Sequence, residues 1–227
     1  MTHTLLFAAA LTAGIHLIAP ALHAMPIRYM DIPPTPGFGF TTTLPGYGSV
    51  SVSQSPNAIP FTFFHQPQAE NGSIPGYSWG TDTDRLNMLN SGAGYASYTV
   101  TFTFLNGAPD PTKLLLLVAG LASTSTATVS QPGALAGELY ISQINSSTTQ
   151  LSGQVLSSMA DGDPKNTGWA LYQPSGSFTT LSVAFRHEPG DGLGISLAYA
   201  VPEPSTIAGI CLGLAGFGIA RRRRARA

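Results

Sequence analysis

The chain has 227 residues, of which 9% are charged, and it contains 25 glycines, 18 prolines and one cysteine. This length allows one domain of ordinary size, and the glycine and proline content argues against a helical bundle, while a single cysteine excludes an internal disulfide framework. Residues 25–201 carry five cations against ten acids, a net charge of −5, so we do not expect this part of the chain to bind nucleic acid.

Residues 1–24 predict a secretory signal peptide. An apolar run over 5–18 is followed by Pro20 and by a cleavage window of small residues that ends at Ala24. The run is too short for a stable membrane span, and these features are typical of a segment removed by signal peptidase. The segment before it has no Lys or Arg, so a buried N-terminal helix stays open as the alternative.

Residues 25–48 contain five prolines and little hydrophobic periodicity, and we predict an extended, partly ordered arm. Residues 49–200 then show short strand patterns separated by glycine-rich turns. The clearest pattern is 98–104, where aromatic and branched residues alternate with threonines. The predicted strands are 49–53, 59–64, 98–104, 113–118, 127–129, 138–143, 154–156, 169–172, 179–185 and 195–199.

This strand pattern predicts an all-β fold, an antiparallel β-sandwich with a jelly-roll-like number of strands. The apolar run 113–118 fits a strand that is covered on both faces, although periodicity alone does not exclude a short helix. Residues 86–89 form the most plausible helical turn of the domain.

The domain offers few residues for catalysis. After signal removal its histidines are His65 and His187, and no zinc-binding, nucleophile-elbow or phosphate-loop motif is present. We therefore expect no enzyme activity and no cofactor. A secreted hydrolase, built on a serine with His187 or on two carboxylates brought together by folding, is the least favoured alternative.

Two weak binding sites can be considered. Asp161 and Asp163 could contribute oxygen ligands to a calcium ion, although the full spacing of a calcium loop is missing and solvated turn acids are the favoured interpretation. Trp79 and Trp169 could stack on sugar rings at the surface of the sandwich, whereas tryptophan is also common in sandwich cores.

The C-terminal region has a separate pattern. Residues 207–220 carry no charge, and as a helix they would span about 21 Å, less than the ~30 Å of a membrane's hydrocarbon core. Four cations follow at once: Arg221, Arg222, Arg223 and Arg224. Because positively charged flanks stay cytoplasmic, we expect a marginal membrane helix with the β-domain on the outer side.

Just before this segment the chain reads Val201, Pro202, Glu203, Pro204. A Pro-Glu-Pro sequence, a short apolar helix and an arginine cluster, in this order over 201–227, resemble the PEP-CTERM sorting signal of Gram-negative bacteria. The resemblance implies that an exosortase processes the tail and passes the domain to the cell surface or polysaccharide matrix. The alternative is a chance Pro-Glu-Pro sequence before an ordinary single-pass anchor.

Together these patterns predict an exported, non-enzymatic surface or extracellular-matrix protein. Its processing partners would be signal peptidase and an exosortase, and residues 207–220 would anchor it transiently in the inner membrane. The main alternative is a carbohydrate-binding β-sandwich of the exopolysaccharide matrix.

Overall fold

The computed structural model describes residues 25–34, 36–55, 62–66, 77–79, 86–91, 97–138, 149–158, 168–187 and 193–201. In these ranges the regular secondary structure consists of strands. In chain order they are β1 (Met25–Tyr29), β2 (Gly39–Leu44), β3 (Gly48–Ser55), β4 (Thr62–Gln66), β5 (Tyr77–Trp79), β6 (Leu86–Ser91), β7 (Ser97–Phe104), β8 (Leu114–Leu121), β9 (Thr126–Val129), β10 (Gly133–Glu138), β11 (Thr149–Ser152), β12 (Val155–Ser158), β13 (Gly168–Pro174), β14 (Thr180–Arg186) and β15 (Leu193–Ala200).

The strands form two sheets. The first sheet runs in the order β10-β13-β8-β15-β1-β5, and β6 also pairs with β15 and carries β4 on its other side. The second sheet runs β11-β12-β9-β14-β7-β3-β2. The strand pairs are antiparallel except for β1 with β5. The last strand of the described residues, β15, therefore lies inside the first sheet, with β8 on one side and β1 and β6 on the other.

Both sheets bury one continuous apolar core. On β7 the buried residues alternate with partly exposed threonines, as the sequence predicts, because successive side chains of a strand point to opposite faces. Leu116 and Val118 of β8 join the same hydrophobic cluster as Val100 and Phe102 of β7, although the two strands belong to different sheets. Two sheets that share one core form the arrangement of a β-sandwich, and the jelly-roll connectivity remains a prediction.

All of the apolar run 113–118 except Lys113 lies in strand β8, and the burial of β8 confirms that both of its faces are covered.

The sequence pattern of residues 86–89 predicts the wrong secondary structure. These residues, expected as a helical turn, belong to strand β6, where Leu89 pairs with Ile195 of β15. The helical expectation is wrong because strand pairing in the sheet overrides a weak local preference.

Residues 25–48 also differ from the expected arm. Here β1 lies between β15 and β5, with Ile27 fully buried, and β2 is hydrogen-bonded to β3. Three of the five prolines, at positions 33, 34 and 36, lie in the connection between these strands, and Pro45 lies in the turn after β2. Four of the five prolines therefore mark connections, whereas Pro26 lies within β1 itself.

Residues 1–24 and 202–227 lie outside the described residues, so the predicted signal peptide and C-terminal helix are predictions from sequence. In the part of the chain that the structure describes, no helical segment reaches the length and apolar character that a membrane span requires. The predicted strand 138–143 also falls largely outside, since Glu138 ends β10 and residues 139–148 are not described.

Candidate sorting site

The end of β15 is held firmly in its sheet. Tyr199 pairs with Leu114 of β8 on one side and with Arg28 of β1 on the other. The backbone N–H of Ala200 donates a hydrogen bond of 2.8 Å to the carbonyl oxygen of Lys113, and Ala200 is fully buried. The strand is thus fixed in the sheet up to its last residue, two positions before Pro202.

Val201 lies against the turn that joins β2 to β3. In this turn the backbone N–H of Tyr47 donates to the carbonyl oxygen of Leu44 at 3.0 Å, and Gly46 has a φ of +85°. Proline before such a glycine is the pattern of a type II turn. A Cβ at position 46 would lie 2.6 Å from Cγ2 of Val201, so the glycine is needed both for its φ and for this close approach.

Tyr47 ties this turn to the connection between β7 and β8. Its hydroxyl donates a 2.7 Å hydrogen bond to the carbonyl oxygen of Gly107 and accepts a 3.0 Å bond from the backbone N–H of Asn106. Its ring meets Phe104 edge-on at 5.3 Å and lies 6.1 Å from the ring of Tyr199. The turn beneath Val201 is therefore supported by strands of both sheets.

Burial raises the pKa of the Tyr47 hydroxyl above its ordinary value, the backbone N–H of Asn106 partly opposes this rise, and Tyr199 adds to it. The neutral phenol is therefore favoured in the folded protein. Its contribution to stability is fully present below the ordinary tyrosine pKa of about 10 and is lost as the pH rises through the higher folded value.

Replacing Tyr47 with phenylalanine should lower the free energy of unfolding at pH 7 by about 1–2 kcal/mol, because two hydrogen bonds to the β7–β8 connection are lost. The difference from the wild type should shrink above about pH 10, since the wild-type phenol then loses its contribution. Urea unfolding at pH 7 and at about pH 11 measures both effects. A difference that stays constant between the two pH values would contradict this assignment.

The adjoining loop carries one exposed ion pair. Nζ of Lys113 lies 3.6 Å from Oδ2 of Asp110, and Oδ1 of Asp110 accepts hydrogen bonds from the backbone N–H and the hydroxyl of Thr112. The bonds from Thr112 lower the pKa of Asp110, with a smaller contribution from Lys113. These contacts fix the conformation of the loop that ends at Lys113. The carbonyl oxygen of Lys113 accepts the hydrogen bond from the N–H of Ala200.

The two tryptophans proposed for sugar stacking lie on separate strands. Trp79 ends β5 and is paired in register with Ile27, whereas Trp169 lies at an irregularity in the pairing of β13 with β8. Three strands lie between β5 and β13, so these two strands are four inter-strand spacings apart, or about 19 Å at ~4.8 Å per spacing. The sheet order therefore does not bring them together into one platform, and each would have to act separately.

The remaining predicted residues have different positions. Pro202, Glu203, Pro204, the arginines at 221–224, Asp161 and Asp163 lie outside the described residues. In the described ranges, no three His, Cys, Asp or Glu side chains come together as metal ligands. His187 is 4% exposed, and its ring meets the edge of Tyr98 at 5.4 Å, a position buried within the domain.

Comparison with protein-family models matches residues 200–224 to the PEP-CTERM protein-sorting motif. The match begins at Ala200, the last residue of β15, and continues through the Pro-Glu-Pro sequence into the apolar run and the arginines. No curated protein and no solved structure matches the chain. The C-terminal region is thus a PEP-CTERM sorting motif, consistent with a substrate of an exosortase.

Proposed function

We propose that this chain is an exported, non-enzymatic β-sandwich protein whose C-terminal tail is removed by an exosortase, after which the domain remains at the cell surface or in the extracellular matrix. The observation that carries the proposal is the position of the sorting motif, which begins at the last residue of β15. A cut after Val201 removes no residue from either sheet.

The tail has three parts with separate physical roles. We expect the two prolines to keep the backbone around Glu203 extended, because neither can continue a helix and each disfavours the helical conformation in the residue before it. Residues 207–220, which the sequence predicts as a helix, would be too short to be a durable anchor. The arginines that follow fix its orientation by staying on the cytoplasmic side.

The connection between the domain and this helix is short. Residues 202–206 separate Val201 from the apolar run, and even fully extended they reach only about 18 Å. Before processing, the β-sandwich would therefore lie against the membrane, without a stalk. Removal of the tail would free the domain to reach sites away from the membrane, which supports release over permanent anchoring.

The non-enzymatic part of the proposal is supported by the lack of a recognisable catalytic motif in the sequence and by the burial of His187. Carbohydrate binding remains the alternative. It would require a site around Trp79 or one around Trp169, and exopolysaccharide binding that is lost on Trp79→Ala or Trp169→Ala would support it.

Mass spectrometry of the protein extracted from the cell surface tests the proposal, because it identifies both mature termini. We expect an N-terminus near Met25 and a C-terminus between Pro202 and Ser205. A strain without its exosortase is the control, and there the arginine-rich end should be retained. A mature surface protein that keeps Arg221 to Arg224 in the presence of the enzyme would overturn the proposal.

A further inference from the structure

We infer that the β2–β3 turn, residues 44–47, holds Val201 against the domain and thereby sets Pro202 as the first residue that the processing enzyme can reach. We refer to this turn as the seat of the sorting motif. The inference rests on the proposed function, since it specifies where the tail is cut.

The seat contacts the chain at the point where it leaves the domain, through Val201 and through Tyr199. Val201 lies on Gly46, and a Cβ on that glycine would also lie 3.2 Å from Cδ1 of Tyr199. Tyr199 in turn neighbours the ring of Tyr47, whose hydroxyl is bonded to the β7–β8 connection. The first two residues of the matched motif, Ala200 and Val201, are consequently part of the folded domain, although the motif itself is a processing signal.

This arrangement restricts cleavage. A protease binds its substrate as an extended segment whose backbone is free to pair with the enzyme. In β15 the backbone is already paired with β8 and β1, and the N–H of Ala200 is bonded to Lys113. Peptide bonds up to the one that joins Ala200 to Val201 are therefore protected by strand pairing, and the contact of Val201 with Gly46 extends this protection to the bond between Val201 and Pro202.

The chemistry of the cut does not alter this conclusion. The peptide C–N bond breaks, the acyl carbon passes to water or to an acceptor amine, and the new amino group leaves with the tail. Whichever acceptor is used, the acyl side keeps Pro202. The seat thus defines a lower limit for the mature C-terminus, and the bonds that the enzyme can cut would lie in the Pro-Glu-Pro sequence that follows.

A matched pair of glycine variants tests the seat. Gly46 and Gly176 have nearly equal positive φ values, +85° and +82°, so alanine introduces a similar backbone strain at both. A Cβ at position 176 meets nothing within 4 Å, whereas at position 46 it would collide with Val201. Only Gly46→Ala should therefore displace Val201 from the turn.

The readout is the C-terminal mass of the processed surface protein. The wild type and Gly176→Ala should end at Pro202 or beyond. In Gly46→Ala the fraction of molecules that end at or before Val201 should rise about tenfold, because the last residues of β15 open more often. The double variant Gly46→Ala with Val201→Ala removes the colliding Cγ2 and should restore the wild-type terminus.

Should Gly46→Ala fail to fold, Val201→Gly tests the same contact without changing the turn, and it should also produce termini before Pro202. If both Gly46→Ala and Val201→Gly have the same C-termini as the wild type, the inference that the seat limits cleavage is wrong. That result differs from failure of the proposed function, in which the wild type itself would retain its arginine-rich end.

Discussion

Replacing Phe102 with alanine is expected to lower the free energy of unfolding by about 3–5 kcal/mol. Phe102 is fully buried at the centre of β7, where it pairs with Val52 of β3 and with Leu181 of β14. Removal of its ring leaves a cavity that three paired strands cannot easily close. The loss would be a large part of the ~5–15 kcal/mol that stabilises an ordinary domain.

Urea unfolding of the purified protein measures this effect. Leu105→Ala is the matched control, because Leu105 follows β7 directly and is 53% exposed, so its loss should change the free energy of unfolding by no more than about 0.5 kcal/mol. Similar values for the two variants would show that β7 does not lie in the core.

A second large effect is expected when Pro202 and Pro204 are both replaced by alanine. Each proline disfavours a helix by about 3 kcal/mol relative to alanine, so the double variant would allow the helix predicted over 207–220 to continue toward Val201. The bonds that the enzyme needs in extended form would then lie inside a helix. We expect processing to fall at least about tenfold.

The processed fraction can be measured by quantifying C-terminal peptides of the surface-extracted protein. Ser205→Ala, in the same segment, serves as the control because it changes no proline, and it should be processed like the wild type. Efficient processing of the double variant at the normal position would show that an extended backbone is not what the enzyme recognises.

The sequence predicts the fold best where a strand's environment is encoded locally. In β7 each side chain faces either the core or the partly exposed face, so its residues alternate, and in β8 both faces are buried, so its residues are continuously apolar. Residues of β10 and β6 show neither pattern clearly, because their strand state depends on pairing with β13 and β15, distant in the chain.

The sorting motif is predictable for a similar reason, since its three parts follow one another along the chain. The seat is not, because the contact between Gly46 and Val201 joins opposite ends of the domain. Pro45 and Gly46 do indicate a type II turn from sequence alone. That Val201 lies on this turn depends on the order of the strands in the sheets, which no local sequence pattern predicts.

The place of β15 has a consequence for biosynthesis. The earliest strand of the domain, β1, takes this final strand as its antiparallel neighbour, and β8 needs it on its other edge. A chain made from its amino end cannot close that sheet until the ribosome has passed Ala200. Closure of the sheet therefore waits for the residue at which the sorting motif begins.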